Sequence, residues 1–239
     1  MPPVVAFIVA MPMELTPLVR ALSLQRSADG PEGGWVGRLG ARRVVAVVTG
    51  MGTSLATAGT DRLLEATPVG RVVVVGITGA VDAETPIGTV IRPEAVVDGA
   101  TGETHRPDPL GPGSPKGVLW TSDSLITAPD ALERLRRDGV VAMDMETAAV
   151  AAVCRRRGVH WSVFRAVSDR ATDGIIDEEV FGLSHQDGTP NGKAIAAFVL
   201  RHPGRIPSMA RTAKGARLAT RRAAEAAVSA VAALDDGVG

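Results

Sequence analysis

The chain reads as an α/β protein built on a largely parallel sheet, and three observations carry that prediction. Short, continuous apolar runs, residues 4–10 and 72–75 among them, are what central strands covered on both faces look like. Segments of helical period alternate with these runs. Residues 140–173, VVAMDMETAAVAAVCRRRGVHWSVFRAVSDRATD, hold one whole unit of strand, acidic turn, helix, strand and acidic end. Within it Ala149, Val150, Val153 and Cys154 share a helix face. Arg155, Arg156, Arg157 and then Gly158 close that helix as basic last-turn residues and a terminal glycine do.

The other elements follow in order. The strand at 4–10 ends at Met11-Pro12-Met13, and a helix starts near Glu14 with Leu15, Leu18, Val19 and Leu22 on one face. Residues 23–34 are polar and Gly-rich, hence loop. Residues 34–39 and 42–48 form a hairpin around Gly40-Ala41. Thr49-Gly50-Met51-Gly52-Thr53 opens a helix carrying Leu55, Ala58, Leu63 and Leu64. The strand at 72–75 closes on Gly76-Ile77-Thr78-Gly79-Ala80. Residues 88–97 read as one strand whose internal Pro93 marks an edge or a bulge. Residues 98–117, rich in Gly, Pro and charge, are expected to form a surface loop over the site. Val118–Thr121 is a short strand and Pro129–Arg137 a helix. Residues 173–191 are irregular, 193–200 helical, and Pro203 and Pro207 break that helix. A long Ala- and Arg-rich helix spans about 208–234, with Met209, Ala213, Ala216 and Leu218 as apolar positions. A basic amphipathic helix can lie on an anionic membrane. The Ala-dominated face favours packing on the domain, so no membrane contact is expected. One domain, 1–239, accommodates all of this.

Composition excludes several function classes. The formal net charge is zero, aromatics make up 3% and Tyr is absent, so no nucleic-acid footprint exists. Cys154 is the one cysteine; it allows no internal disulfide and fits a cytoplasmic protein, with the thiol in the core. The apolar N-terminus lacks a basic leader and meets Glu14 early, so it reads as a strand, not a signal peptide. No apolar run approaches the roughly 20 residues that span a bilayer. His105, His160, His185 and His202 are scattered without metal-ligand spacing. Gly50-Met51-Gly52 runs on to Leu55 where a dinucleotide fingerprint needs a third glycine, and neither a phosphate-loop lysine nor a nucleophile elbow is present. What remains is carboxylates. Asp144, Glu146 and Asp169 stand at strand ends, where ligands bind in open α/β sheets. Each also has an ordinary reading: Asp144 or Glu146 as a helix cap, Asp169 as a turn residue.

DMETAAVAAVC followed by FRAVSD resembles the purine nucleoside and uridine phosphorylase superfamily, nearest the methylthioadenosine/S-adenosylhomocysteine nucleosidase branch. The resemblance implies a single-domain, three-layer α/β/α sandwich with a mixed, partly barrel-like central sheet. It implies an N-glycosyl hydrolase acting on a purine nucleoside, or a phosphorylase on the same scaffold; a non-catalytic nucleoside binder is the third reading. No cofactor is implied, beyond phosphate as co-substrate for a phosphorylase. A homo-oligomer is expected. Asp169 matches the acid that protonates the base and Ser168 its support. Glu146 matches the ribose-binding glutamate, and Met145 the residue against the sugar. AMPMEL resembles the nucleosidase Ala-Met-Glu-Glu-Glu-Val and puts Glu14 on the water-positioning glutamate, though a first-turn helix acid would look the same. Gly52 lies near the nucleophile pocket, and Thr78 and Gly79 in the Gly-rich strand end. There Val74 and Ile77 stand where phosphorylases carry phosphate ligands, leaving Arg42 or Arg43 as possible substitutes. TSDSLI resembles Ser-Gly-Asp-Ala-Phe-Ile, so Leu125, beside Ile126, replaces the Phe against the base. The segment 181–188 departs from the pattern that shapes the 5′ pocket, which leaves the 5′ substituent open.

Overall fold

A computed structural model describes residues 3–27, 33–174, 178–183, 185, 187–189 and 191–234. Ser184 and Gln186, within the segment 181–188, lie outside the described residues. The chain begins with β1 (Val4–Val9), α1 (Pro12–Leu22), the short β2 (Gln25–Arg26), β3 (Trp35–Leu39), β4 (Arg42–Val48) and α2 (Thr53–Ala66). Next come β5 (Val69–Ala80), β6 (Val90–Ile91), β7 (Ala95–Asp98), β8 (Thr104–His105), β9 (Val118–Thr121) and α3 (Pro129–Arg137). The remainder is β10 (Val140–Asp144), α4 (Thr147–Arg157), β11 (His160–Arg170), α5 (Glu178–Phe181), α6 (Gly192–Arg201) and α7 (Ile206–Ala232).

The sheet is mixed. β1 lies parallel between β4 and β5, and β11 runs parallel to β5 on its other edge. The hairpin of β3 and β4 is antiparallel, as expected. β5 is the branch point. Its last residues, Gly79 and Ala80, also pair antiparallel with Met143 and Ala142 of β10. That pairing leads on through β9 and β7 to β8.

Side chains alternating along the strands build a core on each face. Val5, Phe7 and Val9 pack with Leu15 and Leu18 of α1 and the alanines of α7. Ala6 and Ile8 face the other way, onto Ala56 and Leu63 of α2 and Val150 and Cys154 of α4. The result is helix, sheet, helix. Burial pushes the Cys154 thiol up to about 12, so it is an inert core residue.

Several expectations need correction. Residues 88–97 are two strands, because Pro93 cannot donate to a ladder; β6 pairs with β11 and β7 with β9. The segment 98–117 does not lie over the site. It contains β8 and packs at the start of β11, where Asp108 accepts from the Trp161 amide at 3.0 Å. Pro207 does not break a helix but sits in the first turn of α7, where a missing N–H costs nothing. Moreover, the positions Met209, Ala213, Ala216 and Leu218 are not where α7 buries itself. Its buried residues run from Ala219 to Val231.

Candidate active site

Because β1, β5 and β11 run parallel, their C-terminal ends reach one edge together. β1 delivers Ala10, Met11 and, one turn into α1, Glu14. β5 delivers Ile77, Thr78 and Gly79; β11 delivers Ser168 and Asp169; β10 delivers Asp144 and the turn to Glu146. A cavity of about 320 Å³ opens there. Glu14, Thr78, Gly79, Leu125 and Ile126 line it, as do Met145, Glu146, Ser168 and Asp169. Gly52 stands just behind. Its N–H donates to Glu146 Oε1 at 3.0 Å, from a φ of +93° that only glycine adopts without strain.

Arg165 is the hub of this edge. It occupies the middle of β11 and is 1% exposed. Its Nη2 lies 2.5 Å from Asp144 Oδ2 and 3.1 Å from Glu146 Oε2, and its Nη1 lies 3.8 Å from Glu14 Oε1. A guanidinium keeps its proton in proteins, so a buried one needs buried carboxylates. Gly76 makes room for the contact: a Cβ there would lie 2.4 Å from both Arg165 Nη1 and Glu14 Oε1.

The ordinary and functional readings of the acids turn out to overlap. Glu14 accepts from the Met11 amide (3.0 Å) as an N3 capping-box residue does, and also from Ala10 (2.9 Å) and Ile77 (2.8 Å). Asp144 accepts from the Thr147 N–H and hydroxyl at the head of α4 and from Thr121 Oγ1 at 2.6 Å. Glu146 occupies the N-cap position yet caps nothing with its side chain.

Burial sets the protonation of the group. It pushes Glu146 up to about 7; Arg165 opposes the shift, and Asp144 and Glu14 add to it. Burial likewise raises Glu14, against Arg165 and the three amides. Asp169, set apart from the arginine, is raised by burial, opposed by the Ser168 hydroxyl donating at 2.5 Å, with Asp173 adding to the rise. Ser168 Oγ also lies 3.3 Å from the Thr78 carbonyl, which fixes its direction.

Among the lining residues that escaped the sequence reading are Arg165 and Trp120. Arg165 stands inside a strand covered on both faces, and a charge in such a place is itself the signal for buried partners. Trp120, at the end of β9, lines the cavity beside Ile126 and Met143. It supplies an aromatic wall, while Leu125 has no ring. Arg42 and Arg43 do not reach the cavity. Arg42 donates to the Leu234 carbonyl at 3.2 Å, and Arg43 sits opposite Arg38 in the hairpin. Among the described residues Arg165 is the one cation lining the cavity, against four carboxylates. No described group of His, Cys, Asp and Glu has the geometry of a metal site.

Solved structures share this architecture. The 5′-methylthioadenosine/S-adenosylhomocysteine nucleosidase of Neisseria meningitidis, in complex with methylthio-immucillin-A, superposes with TM-score 0.72 at 17% identity, covering 97% of this chain and 99% of that one. The S-adenosylhomocysteine nucleosidase of Streptococcus pyogenes gives 0.71 at 20% identity, covering 97% of each chain. The futalosine hydrolase of Helicobacter pylori gives 0.67 at 17%, covering 97% and 98%. The family model described as the phosphorylase superfamily matches residues 4–116 and 110–202. The chain therefore belongs to the phosphorylase superfamily.

Proposed function

We propose that the chain hydrolyses the N-glycosidic bond of a purine nucleoside with a modified 5′ end, of the methylthioadenosine or S-adenosylhomocysteine kind. The observation that carries this reading is the charge of the cavity: apart from Asp169, the proton donor, three carboxylates share the one arginine that lines it among the described residues. Such an excess favours the oxocarbenium character that develops on the ribosyl group as the bond breaks. It also disfavours a phosphate dianion as nucleophile, since no described lining cation is left to receive it.

In this reading Asp169, whose pKa burial raises, donates a proton to N7 of the base as the anomeric C–N bond breaks and its electron pair moves to the base. Glu14 orients water toward the anomeric carbon and receives the proton the water loses as the new C–O bond forms. That proton returns to Asp169 through solvent, so the products are the free base and the 5′-substituted ribose. Glu146 accepts from the ribose hydroxyls, Met145 lies against the sugar, and Trp120 with Ile126 walls the base.

The test is base release from methylthioadenosine, S-adenosylhomocysteine, adenosine and inosine, with and without phosphate. Free base without phosphate is expected. Release only with phosphate, together with ribose 1-phosphate, would make the protein a phosphorylase. Asp169→Asn should lower kcat by about 10²–10⁴ with the fold intact. Retained activity would remove Asp169 from the acid role.

A further inference from the structure

Charge is unevenly placed along this chain. Between residues 191 and 224 the sequence holds eight Lys and Arg and no Asp or Glu, in a protein of zero formal net charge. The segment folds as α6, the turn at Pro203–Arg205 and most of α7. α7 has two halves. From Ala219 onward its inner face is buried; from Ile206 to Leu218 no residue is. At 3.6 residues per turn, Ile206, Lys214, Arg217 and Arg221 fall on one face, and all four are exposed. α6 buries one residue, Phe198, and does so within the arm itself: the ring lies 4.9 Å from the His202 ring and 5.1 Å from Arg205 Cζ. Leu200 at 83% exposure and Ile206 at 44% flank the turn between the helices.

We propose that this arm is a peripheral docking surface for an anionic lipid bilayer. The aliphatic pair selects lipid among polyanions. Phosphate contacts of nucleic acids use basic and polar side chains and helix N-termini, whereas an exposed Leu and Ile beside Lys and Arg match the apolar boundary beneath anionic head groups. At a bilayer the same two side chains enter the acyl boundary while Lys and Arg meet the head groups. No described helix is long and apolar enough to cross a membrane, so the contact is with the surface. The arm is tied to the cavity mouth. Arg201 and His202 lie 3.4 Å and 3.3 Å from Glu179, whose neighbour Val180 lines the cavity. Docking would hold that mouth beside the lipid.

The experiment is co-sedimentation of the full chain with phosphatidylcholine vesicles, with and without phosphatidylglycerol. Binding to the anionic vesicles alone is expected, weakening as salt is added. The double variants Leu200→Glu/Ile206→Glu and Lys214→Ala/Arg217→Ala should each lower the partition coefficient about tenfold or more. Melting temperature and base release from free nucleosides should not change. If the first variant fails to fold, the second, confined to exposed basic residues, carries the test. Absence from the anionic vesicle pellet overturns the proposal. So does binding to duplex DNA that the Leu200→Glu/Ile206→Glu variant retains while vesicles are not bound. An oligomer that covers Leu200 and leaves vesicles unbound makes a second copy the occupant and overturns it equally.

Discussion

Arg157 at the end of α4 and Arg165 in the middle of β11, the next element, both bind carboxylates. Arg157 lies 2.8 Å from Asp61 and 2.7 Å from Glu65 of α2, and its side chain is 33% exposed. Arg165 reaches its partners at 2.5–3.8 Å and is buried. Contact distance does not separate the two. Solvent does: water screens the first cluster and competes for its groups, whereas in the second each charge depends on the others. The same ion-pair chemistry thus ties two helices together in one place and sets protonation states in the other.

The largest expected effect separates the clusters most sharply. Arg165→Met leaves three buried carboxylates uncompensated and should cost about 3–5 kcal/mol in urea unfolding. Arg157→Met, which removes a solvent-screened pair, should cost far less. Equal losses would break the comparison. Glu146 gives the next effect. Its folded pKa, about 7, exceeds the unfolded 4.5, so the folded state holds a proton that the unfolded chain has released. Its contribution is fully present below pH 4.5 and is lost as pH rises through about 7, with a decline of up to about 3 kcal/mol. Glu146→Gln should flatten that slope; an unchanged slope would move the titration elsewhere. Gly76→Ala forces a methyl against Arg165 and Glu14 and should destabilise by about 1–3 kcal/mol while lowering activity. A stable, fully active variant would mean that the hub relaxes freely. The smallest effect is Asp61→Ala, about 0.2–1 kcal/mol at low salt and nearly none at high salt.

Most strands and helices were legible because their apolar periods are unbroken. The helix Pro129–Arg137 and the strand Val118–Thr121 have the boundaries read from sequence, and the hairpin of β3 and β4 matches to within one residue. The strand-end carboxylates were legible because three acids stand at the ends of apolar runs, where ligands bind in open α/β sheets. What they do to one another was not. The antiparallel turn of β10 against β5, set by the pairing of Met143 with Gly79, brings Asp144 and Glu146 onto Arg165, and no local pattern encodes that pairing. Trp120 reads as strand interior until β9 is known to end at the cavity. The segment 98–117 was misplaced because Gly, Pro and charge mark a loop without saying which end of the sheet it covers. In α7 the apolar positions lie in the less buried half; the buried half is mostly alanine, too small to stand out in a hydrophobic pattern.

The most direct measurement is the fate of the attacking oxygen. Turnover of methylthioadenosine in ¹⁸O-water, with phosphate present, should place the label on the anomeric carbon of the released sugar, and Glu14→Gln should suppress that incorporation. Unlabelled 5-methylthioribose 1-phosphate as the first product would contradict the account. It would mean that phosphate enters a cavity whose carboxylates should have turned it away.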